Sequence, residues 1–334
     1  MNILEKAISS AKIRLSGEIY RSIKDTERAL QIICKAKSTA TGNILSWLTW
    51  YEDSILLHKK RMQIYRCLPA SFGSVKLVEM MGLNNKIPYP QEDNRIKVKE
   101  ITLPNPIDES GFWQLKSPIF DVLTPYLLED YLEKEELDEL LPLIWKEGPY
   151  EYGNVLLAEG DIVIDAGSCV GDFSALASAK NCEVYAFEPV PHLFENYLSK
   201  TAKWNKNVKI FQNALSESEG EITFSVDENM GSSSAVLDSK RVVNKITVKA
   251  TTVDDFVIQN NLPRIDFIKA DIEGAERYML KGAKNTLKEF APKLAICTYH
   301  LPDDPEVLRD LILSANPKYV IEENYDKMFA CVPK

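Results

Sequence analysis

The sequence predicts an α/β protein: an open, mostly parallel sheet wrapped by helices over residues 151–334, behind a mainly helical amino-terminal region. Three observations carry this reading. After Gly148-Pro149, short apolar runs alternate with amphipathic stretches, the rhythm of strands joined by helical crossovers. Several of those runs end in a carboxylate, and the first also opens into a glycine turn. Before residue 120 the apolar spacing is instead helical, or is interrupted by proline.

Taken in order, residues 1–120 form a mainly helical region with a proline-rich connector. Ala29, Ile32, Ile33 and Ala36 share one helical face, and Trp47, Tyr51, Ile55, His58 and Met62 share another. Prolines at 88, 90, 104, 106 and 118 remove backbone donors, which predicts an irregular surface segment. Residues 121–150 read as an acidic helical linker carrying Glu129, Asp130, Glu133, Glu135, Glu136, Asp138 and Glu139, a solvated face or a docking surface for a basic partner. Strands are then expected at 162–165, 183–187, 208–211, 265–269, 293–297, 319–321 and 329–332, with helices at 172–179, 191–204, 275–290 and 305–315. The β-rich pieces 221–226 and 245–250 form an inserted hairpin.

Composition narrows the partners. The net charge is -9, with 40 basic against 49 acidic residues and no long basic run, so a nucleic-acid partner is not expected. Six scattered cysteines show no CxxC pair, which argues against a zinc site or a disulfide framework. The amino terminus has no unbroken apolar segment of the export type, and no stretch is long and apolar enough to span a bilayer. These features predict a cytoplasmic protein without a membrane span.

The chemistry-bearing residues sit at the expected strand tips. Asp165-Ala-Gly167-Ser168-Cys-Val-Gly171 closes the first strand, and bare backbone at the two glycines lets a ligand approach. The spacing is GxxxG, not the GxGxxG of a dinucleotide pyrophosphate site. A carboxylate just before the glycines suits S-adenosylmethionine, which has no phosphate and carries cationic sulfonium and ammonium groups. Glu188, before Pro189 at the end of the second strand, is placed to accept hydrogen bonds from both ribose hydroxyls. Asn213 and Ala214 follow the third strand, where an adenine edge would lie, though a simple Asx turn explains Asn213 equally.

Asp271 and Glu273 follow the fourth strand, where they can orient or deprotonate a substrate hydroxyl, or cap the next helix. Glu276, in the first helical turn, reads as structural. His300 ends the fifth strand and is a candidate base, with a surface or capping role as the alternative.

In this order the motifs resemble the FkbM-type family of class I S-adenosylmethionine-dependent methyltransferases. The resemblance rests on VIDAGSCVGDFS (163–174), AFEPVPHLFENYLSK (186–200), NALSESEGEITF (213–224), TTVDDF (251–256), IDFIKADIEGAERYMLKGA (265–283) and the strand ending at Tyr299-His300. It covers about residues 150 to 300. It implies a Rossmann-like, seven-stranded, mostly parallel sheet with an antiparallel last strand. It also implies S-adenosylmethionine as cofactor and O-methylation of a small-molecule or glycan acceptor, a sugar hydroxyl or a secondary metabolite. The chain departs from the family at Ser168-Cys169, where Ala-Asn is frequent, and at Ala270, where the family often has a small β-branched residue.

For a dedicated base, the reading favours His300 with Asp271 or Glu273 as orienting partner; the same three could instead hold Mg²⁺. The polar loop Asn229–Ser234 either closes over the acceptor or forms a surface turn of the hairpin. The rival readings are an NAD-dependent oxidoreductase, disfavoured by the missing GxGxxG, and a catalytically silent cofactor-binding subunit. The Asn/Asp-Pro-Pro-aromatic signature of amine methylation is absent, which favours oxygen as acceptor. Homo-oligomerisation is left open.

Overall fold

A computed structural model of the chain describes residues 149–227, 233–236, 242–324 and 326–333, together with 91–92, 95–104 and single positions near 30–38, 126 and 133–135. The chain divides into two compact units, residues 1–89 with 126–146, and residues 90–125 with 147–334. In the first unit, Ile33 is helical and buried, as its expected face requires. The second helical face, Trp47 to Met62, and most of the acidic run lie outside the described residues. The second unit carries everything that follows. Among the described residues no helix is long and apolar enough to cross a membrane.

That unit begins with an antiparallel meander, β1 (Gln91–Glu92), β2 (Arg95–Val98) and β3 (Ile101–Pro104), where an irregular connector is expected. The strands are too short for a visible period. Pro104 is tolerated because it ends an edge strand, where no ladder donor is needed. Ile101 and Leu103 are buried, and the Asn205 amide brackets Thr102, accepting from its N–H at 3.2 Å and donating to its carbonyl at 2.7 Å.

The main elements are β4 (Ile162–Ala166), α1 (Asp172–Ala179), β5 (Glu183–Phe187), α2 (Pro191–Leu193), a π-helical turn (Phe194–Leu198), α3 (Ser199–Trp204) and β6 (Val208–Phe211). An insertion follows with β7 (Ala214–Leu215), β8 (Gly220–Asp227) and β9 (Val242–Thr251). Then come α4 (Val253–Gln259), β10 (Phe267–Ala270), α5 (Glu276–Lys281), α6 (Lys284–Glu289), β11 (Lys293–Cys297), α7 (Asp304–Ala315), β12 (Val320–Asn324) and β13 (Lys327–Cys331).

Seven strands form one sheet in the order β12-β13-β11-β10-β4-β5-β6. Neighbours from β11 to β6 pair in parallel, and β13 runs antiparallel to both β11 and β12. This is the seven-stranded, Rossmann-like sheet with an antiparallel last strand that the family resemblance implies. Strands β4 and β10 are buried at every residue, which is why they read as continuous apolar runs rather than alternating ones. Chain direction across the sheet reverses between β4 and β10, so their carboxyl ends flank the crevice where open α/β sheets bind ligands.

The inserted hairpin pairs as expected, from Glu221 opposite Lys249 to Val226 opposite Asn244, and with β7 it makes a separate small sheet. The single helix expected at 275–290 is two. It breaks at Gly282, where a Cβ would lie 2.1 Å from the Ser216 carbonyl oxygen. Strand β13 starts two residues earlier than its apolar pattern shows because Lys327 is itself buried.

Candidate active site

At the end of β4 the chain turns through Gly167, at φ +73°, which lets the loop lie against the turn after β10. A Cβ there would sit 1.9 Å from the Asp271 carbonyl oxygen. Gly171, at φ +82°, faces the other way, and its missing Cβ makes room for Leu198 and Thr201. Both missing Cβ positions are therefore filled by the chain's own atoms, and of the two glycines Gly167 is the one that also lines the cavity described below. The Ser168 hydroxyl is turned inward and donates to the Asp165 carbonyl at 2.8 Å.

Asp165 is fully buried and does not reach the crevice with its carboxylate. Its Oδ1 lies 3.0 Å from Lys269 Nζ, and its Oδ2 accepts from the Ser174 hydroxyl at 2.6 Å. Its carboxylate thus braces the loop after β4 instead of lining a cavity. Lys269, in the middle of β10, donates to the carbonyls of Ala166 at 3.2 Å and Gly167 at 2.6 Å. Burial pulls its pKa down, but Asp165, Asp271 and Asp172 outweigh that and hold it above the ordinary lysine value. Lys269 was not singled out from the sequence, although a lysine inside the apolar run FIKA was its signal.

Glu188 follows β5 and is buried, with Oε2 accepting from the Cys169 N–H and Oε1 from the Val190 N–H, each at 2.9 Å. Burial pushes its carboxyl up to about 7 against the pull of those two donors. Each oxygen keeps a lone pair for a further donor. Beside it opens a cavity of about 410 Å³, a size suited to a small-molecule site. Gly167, Pro189, Asn213 and Ala214 line this cavity, as do Ile222 and Phe224 of β8, Ile272 and Tyr278. Asp165, Ser168, Gly171, Glu188 and Asp271 are not among its lining residues.

Across the Asp271–Gly274 turn, the structure brings Asp271, Glu273 and His300 together. His300 Nε2 lies 3.5 Å from Asp271 Oδ1 and 3.6 Å from Glu273 Oε2. Its Nδ1 faces Glu276 Oε1 at 3.1 Å, off the line of a hydrogen bond. Glu276 is fully buried and also accepts the Ile272 N–H at 2.8 Å, which fastens a turn whose Glu273 and Gly274 both have positive φ. It is structural as expected, but it is also the fourth member of the cluster. The Tyr150 hydroxyl donates to Asp271 Oδ2 at 2.7 Å, and Tyr299 reaches Oδ1 at 3.3 Å.

Burial disfavours a charged imidazole at His300, yet Glu276, Asp271 and Glu273 overcome it and raise the pKa to about 9. Burial likewise works against ionised Asp271, and His300, Lys269 and the Tyr150 hydrogen bond reverse it, leaving its carboxyl below the ordinary range. The proton therefore rests on the histidine at neutral pH, opposite to what a waiting base requires. Of the 229–234 loop, Ser233 and Ser234 are described and buried. Ser234 bridges to Ser225, and its hydroxyl donates to the Glu273 carbonyl at 2.7 Å.

Fold and site together define an open α/β protein with a small-molecule cavity at the switch point of its sheet and a cluster of ionisable side chains one turn away. Residues 165–320 match the family model described as a methyltransferase FkbM domain, so this part of the chain is similar to the FkbM methyltransferases. Among curated proteins, the hexuronic acid methyltransferase AglP of Haloferax volcanii is 27% identical over 157 residues, covering 47% of this chain and 63% of that protein. Among solved structures, the FkbM methyltransferase of Methylobacillus flagellatus KT is 23% identical, covering 65% of this chain and 56% of that one, with a TM-score of 0.43. A precorrin-6y C5,15-methyltransferase from Geobacter metallireducens GS-15 is 13% identical over 53% of this chain and 80% of that one, with a TM-score of 0.32. This chain spans less than two thirds of the length of the FkbM relatives it matches.

Proposed function

We propose that residues 151–334 bind S-adenosylmethionine in the cavity beside Glu188 and catalyse methyl transfer to an oxygen of a sugar acceptor. One juxtaposition carries the reading. Ile272 lines the cavity, while its neighbours Asp271 and Glu273 face His300, so a cofactor pocket and a polar cluster share a single turn. The residues present fit the cofactor. The bare Gly167 backbone, the open lone pairs of Glu188 and the Asn213 amide offer what a ribose, an adenine edge and a cationic methyl donor need. The GxxxG spacing of Gly167 and Gly171, in place of GxGxxG, speaks against a dinucleotide.

When bound, the cofactor supplies a sulfonium-activated methyl group. The chain supplies alignment, exclusion of water and management of the acceptor proton. Asp271, held ionised, accepts a hydrogen bond from the acceptor hydroxyl. His300, protonated at neutral pH, keeps Asp271 ionised and balances the charge of the cluster; Asp271 or Glu273, not the imidazole, takes the proton. A hexuronic acid acceptor, as in the relative's name, supports a sugar substrate, and the FkbM match disfavours an oxidoreductase.

Incubating the full chain with methyl-labelled S-adenosylmethionine and oligosaccharides with and without hexuronic acid tests the proposal. Base-stable label on sugar oxygen is the expected result. Binding of NADH in preference to adenosylhomocysteine, or cofactor binding with no transfer to any acceptor, would overturn it.

A further inference from the structure

Beyond the cofactor cavity, we propose that His300, Asp271 and Glu273 form a binding site for a divalent first-row transition ion, with Glu276 as the residue that positions the histidine. The separations of His300 Nε2 from Asp271 Oδ1 and Glu273 Oε2, 3.5 and 3.6 Å, are too long for hydrogen bonds. They match the edge of a tetrahedron built on metal–ligand bonds of about 2.1 Å, which measures roughly 3.4 Å. The imidazole thus already stands at about that spacing from each of the two carboxylates, and Asp271, Glu276 and His300 have ligand atoms within 4.8 Å of one another.

A second observation points the same way. The His300 side chain is only 3% exposed, and neither of its ring nitrogens makes an aligned hydrogen bond; the fully buried Glu276 Oε2 has no hydrogen-bond partner either. A buried histidine normally satisfies its ring nitrogens. Here Nδ1 lies 3.1 Å from Glu276 Oε1 and Nε2 faces the two other carboxylates, so a small turn of the ring would give the Nδ1–H a carboxylate acceptor while Nε2 is presented to an ion. Tyr150 occupies Asp271 Oδ2, and Oδ1, which accepts a longer hydrogen bond from Tyr299 at 3.3 Å, faces the histidine. The Asp271 and Glu273 side chains are 24% and 21% exposed, so the site has a mouth through which an ion and an acceptor oxygen can enter.

One imidazole and two carboxylates suit Mn²⁺, Co²⁺ or Zn²⁺ better than the Mg²⁺ considered from the sequence, which prefers oxygen ligands. The ion would displace the Nε2 proton and take over the imidazolium's part in holding Asp271 ionised; its use to polarise the acceptor hydroxyl rests on the methyltransferase reading, and the site itself does not.

The test is a titration of the chelator-treated full chain with Co²⁺ at pH 8, without cofactor or acceptor, followed by visible absorption and calorimetry. One equivalent with the absorption of a nitrogen- and oxygen-ligated ion is expected. His300→Ala should abolish it, Glu273→Gln should weaken it at least tenfold, and Glu276→Gln should weaken it about 10- to 100-fold while the spectrum keeps its shape. Circular dichroism and thermal melts identify variants that fail to fold, and Glu273→Gln, at a partly exposed position, keeps the test informative if His300→Ala does not fold. Absence of binding, binding unchanged in Glu273→Gln, or Mg²⁺ bound as tightly as Co²⁺ would overturn the proposal. Co²⁺ binding without any methyl transfer would leave the ion site standing and remove the proposed reaction instead.

Discussion

Replacing Lys269 with methionine removes one partner of an ion pair that is almost wholly out of water, with the lysine side chain 5% and the aspartate 0% exposed. Asp165 would keep its Ser174 hydrogen bond but lose the cation 3.0 Å away, and the Ala166 and Gly167 carbonyls would lose their Nζ donor. Breaking a buried pair from one side costs about 3–5 kcal/mol, because the remaining charge stays buried without compensation. At about 2–4 °C per kcal/mol for a domain of 150–250 residues, the midpoint of thermal unfolding should fall by about 6–20 °C. Asp165→Asn combined with Lys269→Met leaves no orphan charge, so the double variant should be more stable than the sum of the single losses predicts, by about 1–3 kcal/mol. Chemical denaturation of the four proteins measures the cycle. A Lys269→Met loss below about 1 kcal/mol, or strict additivity, would refute the claim that this pair holds the loop after β4 in place.

Gly167→Ala should destabilise the fold by more than about 1–2 kcal/mol, the cost of a left-handed alanine alone, since its Cβ would also collide with the Asp271 carbonyl oxygen; a melting temperature within 2 or 3 °C of wild type would contradict this. Glu188 titrates at about 7 in the folded chain against an ordinary 4.5, so its contribution to stability is full below about pH 4.5 and lost as pH rises through about 7. Ribose hydroxyls favour the ionised form, so adenosylhomocysteine affinity should rise over pH 6 to 8, and calorimetry should find that slope reduced in Glu188→Gln; equal slopes would count against Glu188 as the ribose partner. Asn205→Ala should cost about 1–3 kcal/mol by leaving the Thr102 backbone groups unpaired, and urea unfolding with no change in midpoint would show that the meander is not fastened there.

The main sheet was legible because parallel strands buried on both faces appear as continuous apolar runs, such as IVIDA and KLAIC. The carboxylates at their tips marked the crevice. What escaped the reading was set by partners distant in sequence. Lys269 and Lys327 look like strand interruptions until the fold surrounds them with Asp165, Asp271 and Tyr150. The strand-end position of Asp165 suggests a ligand-facing carboxylate but does not reveal which way it turns, and Ser174 and Lys269 draw it inward. Proximity of His300 to three carboxylates was legible in part, but its proton was not. That depends on Glu276, three residues beyond Glu273, folding back onto the imidazole. The short meander at 91–104 was hidden by strands of two to four residues.

The structure of the full chain with adenosylhomocysteine bound addresses the central claim most directly. Ribose hydroxyls within hydrogen-bonding distance of Glu188, adenine against Asn213 and Ala214, and the sulfur turned toward the Asp271–His300 turn are the predicted result. A nucleoside bound anywhere else, or a cavity that stays empty at saturating ligand, would contradict it.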